Sequence, residues 1–344
     1  MVLVYVAVLA TSYVPFGRLA DRRSPAAVIR LGLLLFALGA VLVALGGTFA
    51  LVLGGRALQG LGAAAAVSGG QAVAFAASGP RRAGRSLGLV HVAVALGMLT
   101  GPVLGGVIIE RFGWQAAFLL EPPIALGAAL LARGSRHARH GLLAPEPPSV
   151  LALLRRPELA AGLVLALLSF VAMSANMFLV PYLLQRPLAL APSSAGVLMA
   201  IVPLTILIGA VPAGALADRH GSRWPSTAGL TLVSLGILGL AIASRSEAGI
   251  IVVAALATYG VGAALFGAPN NRAVLAAAPP GGLGLASGLL GSGRQLGQIL
   301  GVLMSGTLIR IGGGLDVPAA YPFAFIVLAA LAALTTLLAA SQSR

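Results

Sequence analysis

The sequence predicts an all-α polytopic membrane protein of about eleven transmembrane helices in two similar bundles, and three observations predict it. Apolar residues make up 59% of the 344 positions and charged residues 9%, with a mean hydropathy of +1.01, whereas soluble domains are roughly a quarter charged. The apolar stretches recur at lengths near the ~20 residues that cross a bilayer. The 22 basic residues are all arginines and fall mainly between those stretches, concentrated in alternate gaps.

Taken in order, the spans lie near 1–17, 27–46, 48–77, 86–109, 114–132, 158–182, 193–216, 226–244, 248–277, 283–309 and 319–340. One set of intervening segments holds Arg18, Arg22, Arg23 and Arg30, then Arg81, Arg82 and Arg85, then Arg133, Arg136, Arg139, Arg155 and Arg156, then Arg219 and Arg223, and finally Arg344. The other set holds only Arg111, Arg186, Arg245 and Arg310. Cytoplasmic loops are the arginine-rich ones, so the first set faces the cytoplasm and the C-terminus is cytoplasmic. Met1 then lies outside, with no cleavable leader of the basic, apolar, small-residue kind, and this arrangement points to a further helix in front.

An internal repeat divides the chain. Gly17-Arg-Leu-Ala-Asp21-Arg22 recurs 197 residues later as Gly214-Ala-Leu-Ala-Asp218-Arg219, each time after an apolar span and on the same side of the bilayer. Parallel repeats of this kind build transporters from two related halves. Residues 134–157, rich in Arg, His and Pro, form the one long connector. The expected organisation is therefore an N-terminal bundle over 1–133, a cytoplasmic connector over 134–157 and a C-terminal bundle over 158–344.

Composition excludes several functions. There is no cysteine, so neither a disulfide framework nor a thiolate metal site is available. His91, His137, His140 and His220 have no metal-ligand spacing on a shared helix face, and no metal site is expected. The net charge of +14 is spread over loops rather than one amphipathic face, which argues against nucleic acid. No Walker lysine can exist in a chain without lysine, and the glycine patterns lie in apolar helices with no strand before them. Neither covalent catalysis nor a cofactor is expected. An ion gradient, or the substrate's own gradient, must supply the energy of any transport.

Charges inside the spans carry the chemistry. Arg56, followed by Gln59 and Gly60, lies seven residues into its span, roughly 10 Å below the outer end, where a cation needs water or a counter-charge. Among the eight acidic residues, Glu121 alone falls within an apolar span. It stands seven residues after Trp114, at a depth similar to that of Arg56. Burial and a neighbouring arginine pull its proton affinity in opposite directions, so it could load and release protons as access changes. The Glu121-Pro122-Pro123 run also fits a helix start, but that leaves only about ten apolar residues, too few to span.

Several motifs resemble the major facilitator superfamily. The repeated loop is similar to its G-x-x-x-D-R-x-G-R pattern; the second copy keeps the later glycine as Gly221, and the first has Ser24 and Pro25 there. Gly97, Gly101, Pro102, Gly105 and Gly106 resemble the antiporter motif of its drug/proton exporters. Glycines so spaced offer a bare flank for close helix packing, and proline bends the helix. Arg56-Ala-Leu-Gln59-Gly60 resembles the R-x-x-Q-G motif associated with proton coupling. The Gly260, Pro269-Asn270-Asn271 and Gly293-Arg294-Gln295 stretches look like the fourteen-helix drug/proton antiporter branch, multidrug efflux proteins of the cell or inner membrane.

The resemblance implies a major facilitator fold that lacks the family's first helix and the branch's central two-helix insertion. It implies export of small apolar or cationic compounds by proton antiport, with alternating access in a monomeric unit within the lipid bilayer; alternatives are an exporter of one metabolite or a non-transporting shortened protein. Arg56, Gln59 and Glu121 would couple protons. Gly17, Asp21, Arg22, Gly214, Asp218, Arg219 and Gly221 would form gating loops, with Asp21 against the positive N-terminal end of the helix that begins near Gly284. Met173, Asn176, Met177, Phe178, Asn270 and Asn271 would line the cavity, the two asparagines at a break after Pro269.

The absence of cysteine makes the topology directly testable. In intact cells, Arg23→Cys and His220→Cys are expected to resist a membrane-impermeant maleimide, and Arg245→Cys to react. Opposite labelling of the first two would end the two-repeat topology.

Overall fold

A computed structural model describes residues 2–79, 81–132, 148–246 and 249–341. Among these residues every regular element is a helix: α1 (Val2–Arg22), α2 (Pro25–Ala44), α3 (Phe49–Ser78), α4 (Ala83–Phe112), α5 (Trp114–Leu119), α6 (Glu121–Leu131), α7 (Val150–Leu154), α8 (Pro157–Gln185), α9 (Pro192–Met199), α10 (Ile201–His220), α11 (Arg223–Ala243), α12 (Gly249–Ala276), α13 (Leu283–Ile311) and α14 (Ala320–Ser341). Among the described residues, ten segments are long and apolar enough to cross a membrane, with α5 and α6 forming one and α9 and α10 another. The expectation of eleven differs by α13. That helix has 29 residues, but Ser287, Ser292, Arg294, Gln295, Gln298 and Ser305 dilute its apolar character.

Most of the expected connector, 134–147, lies outside the described residues, and His137 and His140 with it. Its described end carries α7, capped by Ser149, whose Oγ accepts the Ala152 N–H at 3.1 Å.

Contacts group the chain into two compact units. The first comprises Met1–Ala83, Thr100–Ala160 and Val274–Gln295; the second comprises Gly84–Leu99, Ala161–Ala273 and Leu296–Arg344. Both α4 and α13 are thus divided between units.

Glycine seams hold each unit together, because lipid tails supply no hydrophobic drive between helices and tight van der Waals contact must do so. In the first unit a Cβ at Gly32 of α2 would lie 2.6 Å from the Gly62 carbonyl oxygen of α3, and one at Gly62 would lie 2.5 Å from that of Gly32. Gly60 likewise brings α3 against the Tyr5 carbonyl of α1. The second unit repeats this seam between α11 and α12, where a Cβ at Gly229 would lie 2.7 Å from the Gly262 carbonyl oxygen and one at Gly262 would lie 2.6 Å from that of Gly229. Leu179, Leu183, Ile237, Leu240, Tyr321 and Phe325 fill the core beside it. Arg186 and Asp316 form an ion pair that joins the α8–α9 and α13–α14 loops, both from the arginine-poor set.

Two expectations need correction. The antiporter-motif helix is not tightly packed: nothing lies within 4 Å of a Cβ at Gly97, Gly101, Gly105 or Gly106, and most of that stretch is exposed. The corresponding glycines of α13 do pack, Gly297 on the Leu167 carbonyl and Gly301 on that of Val171 in α8. Among the described residues, no helix plays α8's part for α4. The expected break after Pro269 is also absent, since α12 runs unbroken through it. Neighbouring helices tolerate one missing amide donor in a membrane helix.

The seams predict a sharp contrast between glycines. Gly62→Ala is expected to cost about 1–3 kcal/mol, the usual penalty of overpacking, read as a lower Tm of the detergent-purified protein. Gly54→Ala, which meets open space, should leave Tm unchanged or slightly raised.

Candidate functional site

Asp21 ends α1 and is 2% exposed. Its carboxylate accepts the Gly284 and Leu285 N–H groups, each at 2.7 Å, at the first turn of α13. Those amides have no partner within their own helix, and the positive end of the helix dipole favours the anion. The approach requires two glycines. A Cβ at Gly17 would stand 2.3 Å from the Gly284 oxygen, and one at Gly284 would stand 2.4 Å from that of Gly17.

The second unit repeats the device. Asp218 of α10 accepts the Gly84 N–H at 2.8 Å and the Arg85 N–H at 3.0 Å, at the first turn of α4. Gly214 and Gly84 meet as Gly17 and Gly284 do. Here an arginine is added: Arg272 Nε donates to Asp218 at 3.0 Å, and its other end donates to the Ser222 hydroxyl at 3.2 Å. The residue 200 positions before Arg272 is Ala72, so the Asp21 site has no counterpart to it. Gly221 closes α10 at φ +81°, a conformation that favours glycine, whereas the first loop passes through extended Ser24 into Pro25 at the start of α2. Arg22 and Arg219 are exposed.

The intramembrane charges meet through an amide. Arg56 Nη1 donates to Gln59 Oε1 at 3.1 Å, and Gln59 Nε2 donates to Glu121 Oε2 at 2.5 Å. Glutamine has one acceptor and one donor end, which suits a bridge from guanidinium to carboxylate. Gln59 is fully buried. Arg56 is not within ion-pair distance of Glu121 among the described residues; its guanidinium instead lies over the rings of Phe118 at 5.0 Å and Tyr5 at 5.6 Å, where aromatic faces attract a cation. Glu121 lies both within a candidate span and at a helix start. A helix does restart at Glu121 after a one-residue interruption at Leu120, and α5 supplies the remaining length of an 18-residue span.

The expected cavity residues all belong to the second unit. Asn176, Asn270 and Asn271 are buried, Met173 and Met177 partly so, and Phe178 is 37% exposed beside Tyr182, ring centroids 5.4 Å apart. The Met173 carbonyl accepts the Tyr259 hydroxyl at 3.2 Å, and the Met173 side chain packs on the core. These contacts make Met173 helix-packing material as well as a cavity candidate.

Sequence reasoning anticipated Asp21 at Gly284 but missed Gly84 as the seat of Asp218, the role of Arg272, and Tyr5 and Phe118 around Arg56. A signal for Gly84 was present. Glycines recur 200 residues apart at 84 and 284, 88 and 288, 97 and 297, and 101 and 301, so a site at Gly284 implied one at Gly84.

Comparison with known proteins identifies the family. Residues 1–182 and 162–341 each match the family model described as Major Facilitator Superfamily. The riboflavin transporter RibZ of Clostridioides difficile (strain 630) is 24% identical over 88% of this chain and 77% of its own. The tetracenomycin C resistance and export protein of Streptomyces glaucescens is 24% identical over 90% and 68%. Among solved structures, the E. coli fucose:proton symporter FucP superposes with a TM-score of 0.78 at 16% identity, covering 99% of this chain and 90% of that one.

The bridge can be tested by a double-mutant cycle. Gln59→Met should lower stability by about 1–3 kcal/mol, because it leaves buried polar partners unmet. Combined with Glu121→Gln, the losses should be non-additive by at least ~0.5 kcal/mol. Strict additivity would show that the two side chains act independently.

Proposed function

Because the chain belongs to the Major Facilitator Superfamily, we propose that this transporter, which is not an enzyme, is a proton-coupled exporter of the drug/proton antiporter branch. The observation that carries the proposal is the twofold latch: in each unit one aspartate holds the first amides of a helix whose glycine meets another glycine. Such a contact is strong while dry and is lost when water reaches it. Two latches on the arginine-rich side support a cytoplasmic gate that closes when both carboxylates are seated and opens when they leave.

In this mechanism the cargo is a small, mostly apolar organic molecule, accommodated by methionine and phenylalanine such as Met173, Met177 and Phe178. Asn176, Asn270 and Asn271 supply polar contacts. Glu121 takes a proton from the outside when the cavity faces out and releases it inward. As it does so, its hold on Gln59, and through Gln59 on Arg56, changes. Proton loading is thereby coupled to the packing of α3 against α5 and α6. The unit works as a monomer in the cell membrane, with its C-terminus in the cytoplasm.

A second reading, export of one metabolite, is favoured by relatives named for a single compound, riboflavin or tetracenomycin C.

Proteoliposomes with an imposed pH gradient and a panel of neutral, anionic and cationic fluorescent compounds separate these readings. Proton-driven efflux of several compounds supports the broad exporter, and of one only, the specific exporter. Glu121→Gln and Arg56→Ala should each cut proton-driven efflux at least tenfold while leaving downhill exchange. Unchanged driven efflux in both variants removes them from the coupling mechanism.

A further inference from the structure

Arg30 is the one charge in α2. It stands five residues after Pro25, about 8 Å along the helix from its arginine-rich end, and is half-buried. Among the described residues it makes no hydrogen bond, ion pair or ring contact. A cation so placed in a membrane helix needs water, a lipid headgroup or a counter-charge.

The surroundings of Arg30 narrow that choice. Within the first unit α6 packs on α2, and the two helices leave between them a groove of about 510 Å³ with Arg30 in its lining. Arg30 and Leu130, the penultimate residue of α6, mark one end of the groove, and Leu34 and Leu126 lie a turn further in. Ala27 and the buried Ala129 form its floor, and the exposed leucines its walls. The groove is apolar along its length and cationic at one end, the shape and chemistry of an acyl chain below an anionic headgroup.

The repeated framework does not require this arginine. Gly32 has its match at Gly229, 197 residues on, but Arg30, Leu31 and Leu34 give way to Thr227, Ala228 and Thr231. There the Thr231 hydroxyl donates to the Thr227 carbonyl at 3.0 Å, and α11 packs on α14 with no charge at this position. Packing therefore does not account for Arg30.

We propose that the α2–α6 groove binds one anionic phospholipid, with its phosphate on the Arg30 guanidinium and an acyl chain along Leu34 and Leu126. The guanidinium fork matches a phosphate with paired N–H donors, and basic pockets between membrane helices take acidic headgroups. In a zwitterionic lipid the headgroup's own cation competes for that phosphate. The site is independent of what the transporter carries. A lipid touching both helices would hold α6, which starts at Glu121, against α2.

The test is native mass spectrometry of the detergent-purified protein with phosphatidylglycerol and phosphatidylcholine of identical chains, paired with Tm in the same lipids. One phosphatidylglycerol should be retained with a preference of about fivefold and should raise Tm; Arg30→Gln should cut the preference to about twofold or less and abolish the rise. Leu34→Thr, which puts the second unit's residue in the wall, should weaken retention several-fold with Arg30 intact. Arg23→Gln, at an exposed arginine of the same end, should change neither readout. Three results would overturn the site. One is a wild-type preference in Arg30→Gln; another is an equal loss in Arg23→Gln, the mark of diffuse surface attraction. The third is inorganic phosphate raising Tm as far as phosphatidylglycerol does, the mark of a free-anion site. If Arg30→Gln does not fold, Leu34→Thr and the inorganic phosphate comparison decide the matter.

Discussion

Backbone must meet backbone in this protein, and glycine is what lets it. A helix pair in lipid gains nothing from hiding apolar surface, since the solvent is itself apolar, so cohesion comes from atoms in close contact. At Gly32 with Gly62, and at Gly229 with Gly262, carbonyl oxygens occupy space that any Cβ would take. The same closeness at Gly17 with Gly284, and at Gly214 with Gly84, brings helix N-terminal amides within reach of a short aspartate side chain. Charge and packing are here one device. Without the glycines the carboxylates would be stranded, and without the carboxylates the amides would be unsatisfied.

The device occurs twice because the chain does. Matching residues lie 197 apart in α1, α2, α10 and α11, and 200 apart in α3, α4, α12 and α13. The copies have diverged where chemistry differs. Asp218 gained Arg272 where the first copy has Ala72, and Arg56 stands where the second copy has Leu256. The first unit thus holds the mid-span charges, and the second holds the ion pair of Asp218 with Arg272 beside an arginine-rich loop. Symmetric framework and asymmetric charge are compatible because seams depend on small residues, whereas charges occupy the faces between them.

Much of the fold was legible in the sequence. Spans, loop charge and the repeat follow from hydropathy and arginine placement, which bilayer physics constrains residue by residue. Asp21 at the α13 terminus was legible as well, since an acidic group needs a positive end and few are available. Gln59 as the bridge was not, because an amide between two charges leaves no periodic signal. Nor were the packed and open glycines distinguishable. Gly97 and Gly297 have the same spacing from Gly101 and Gly301, yet only the latter pair is covered, by α8. Pro269 misled for a related reason: a proline removes one donor locally, but neighbouring helices decide whether the helix breaks.

By itself the sequence determined that this is a two-repeat helical membrane protein, because the cost of placing charge and unpaired backbone in hydrocarbon dictates length, composition and loop bias at every span. Only the tertiary structure decided which amides each aspartate holds, and that Gln59 stands between Arg56 and Glu121. Those contacts join residues up to 264 positions apart. Their existence depends on how closely two particular backbones approach, a distance that no local pattern encodes.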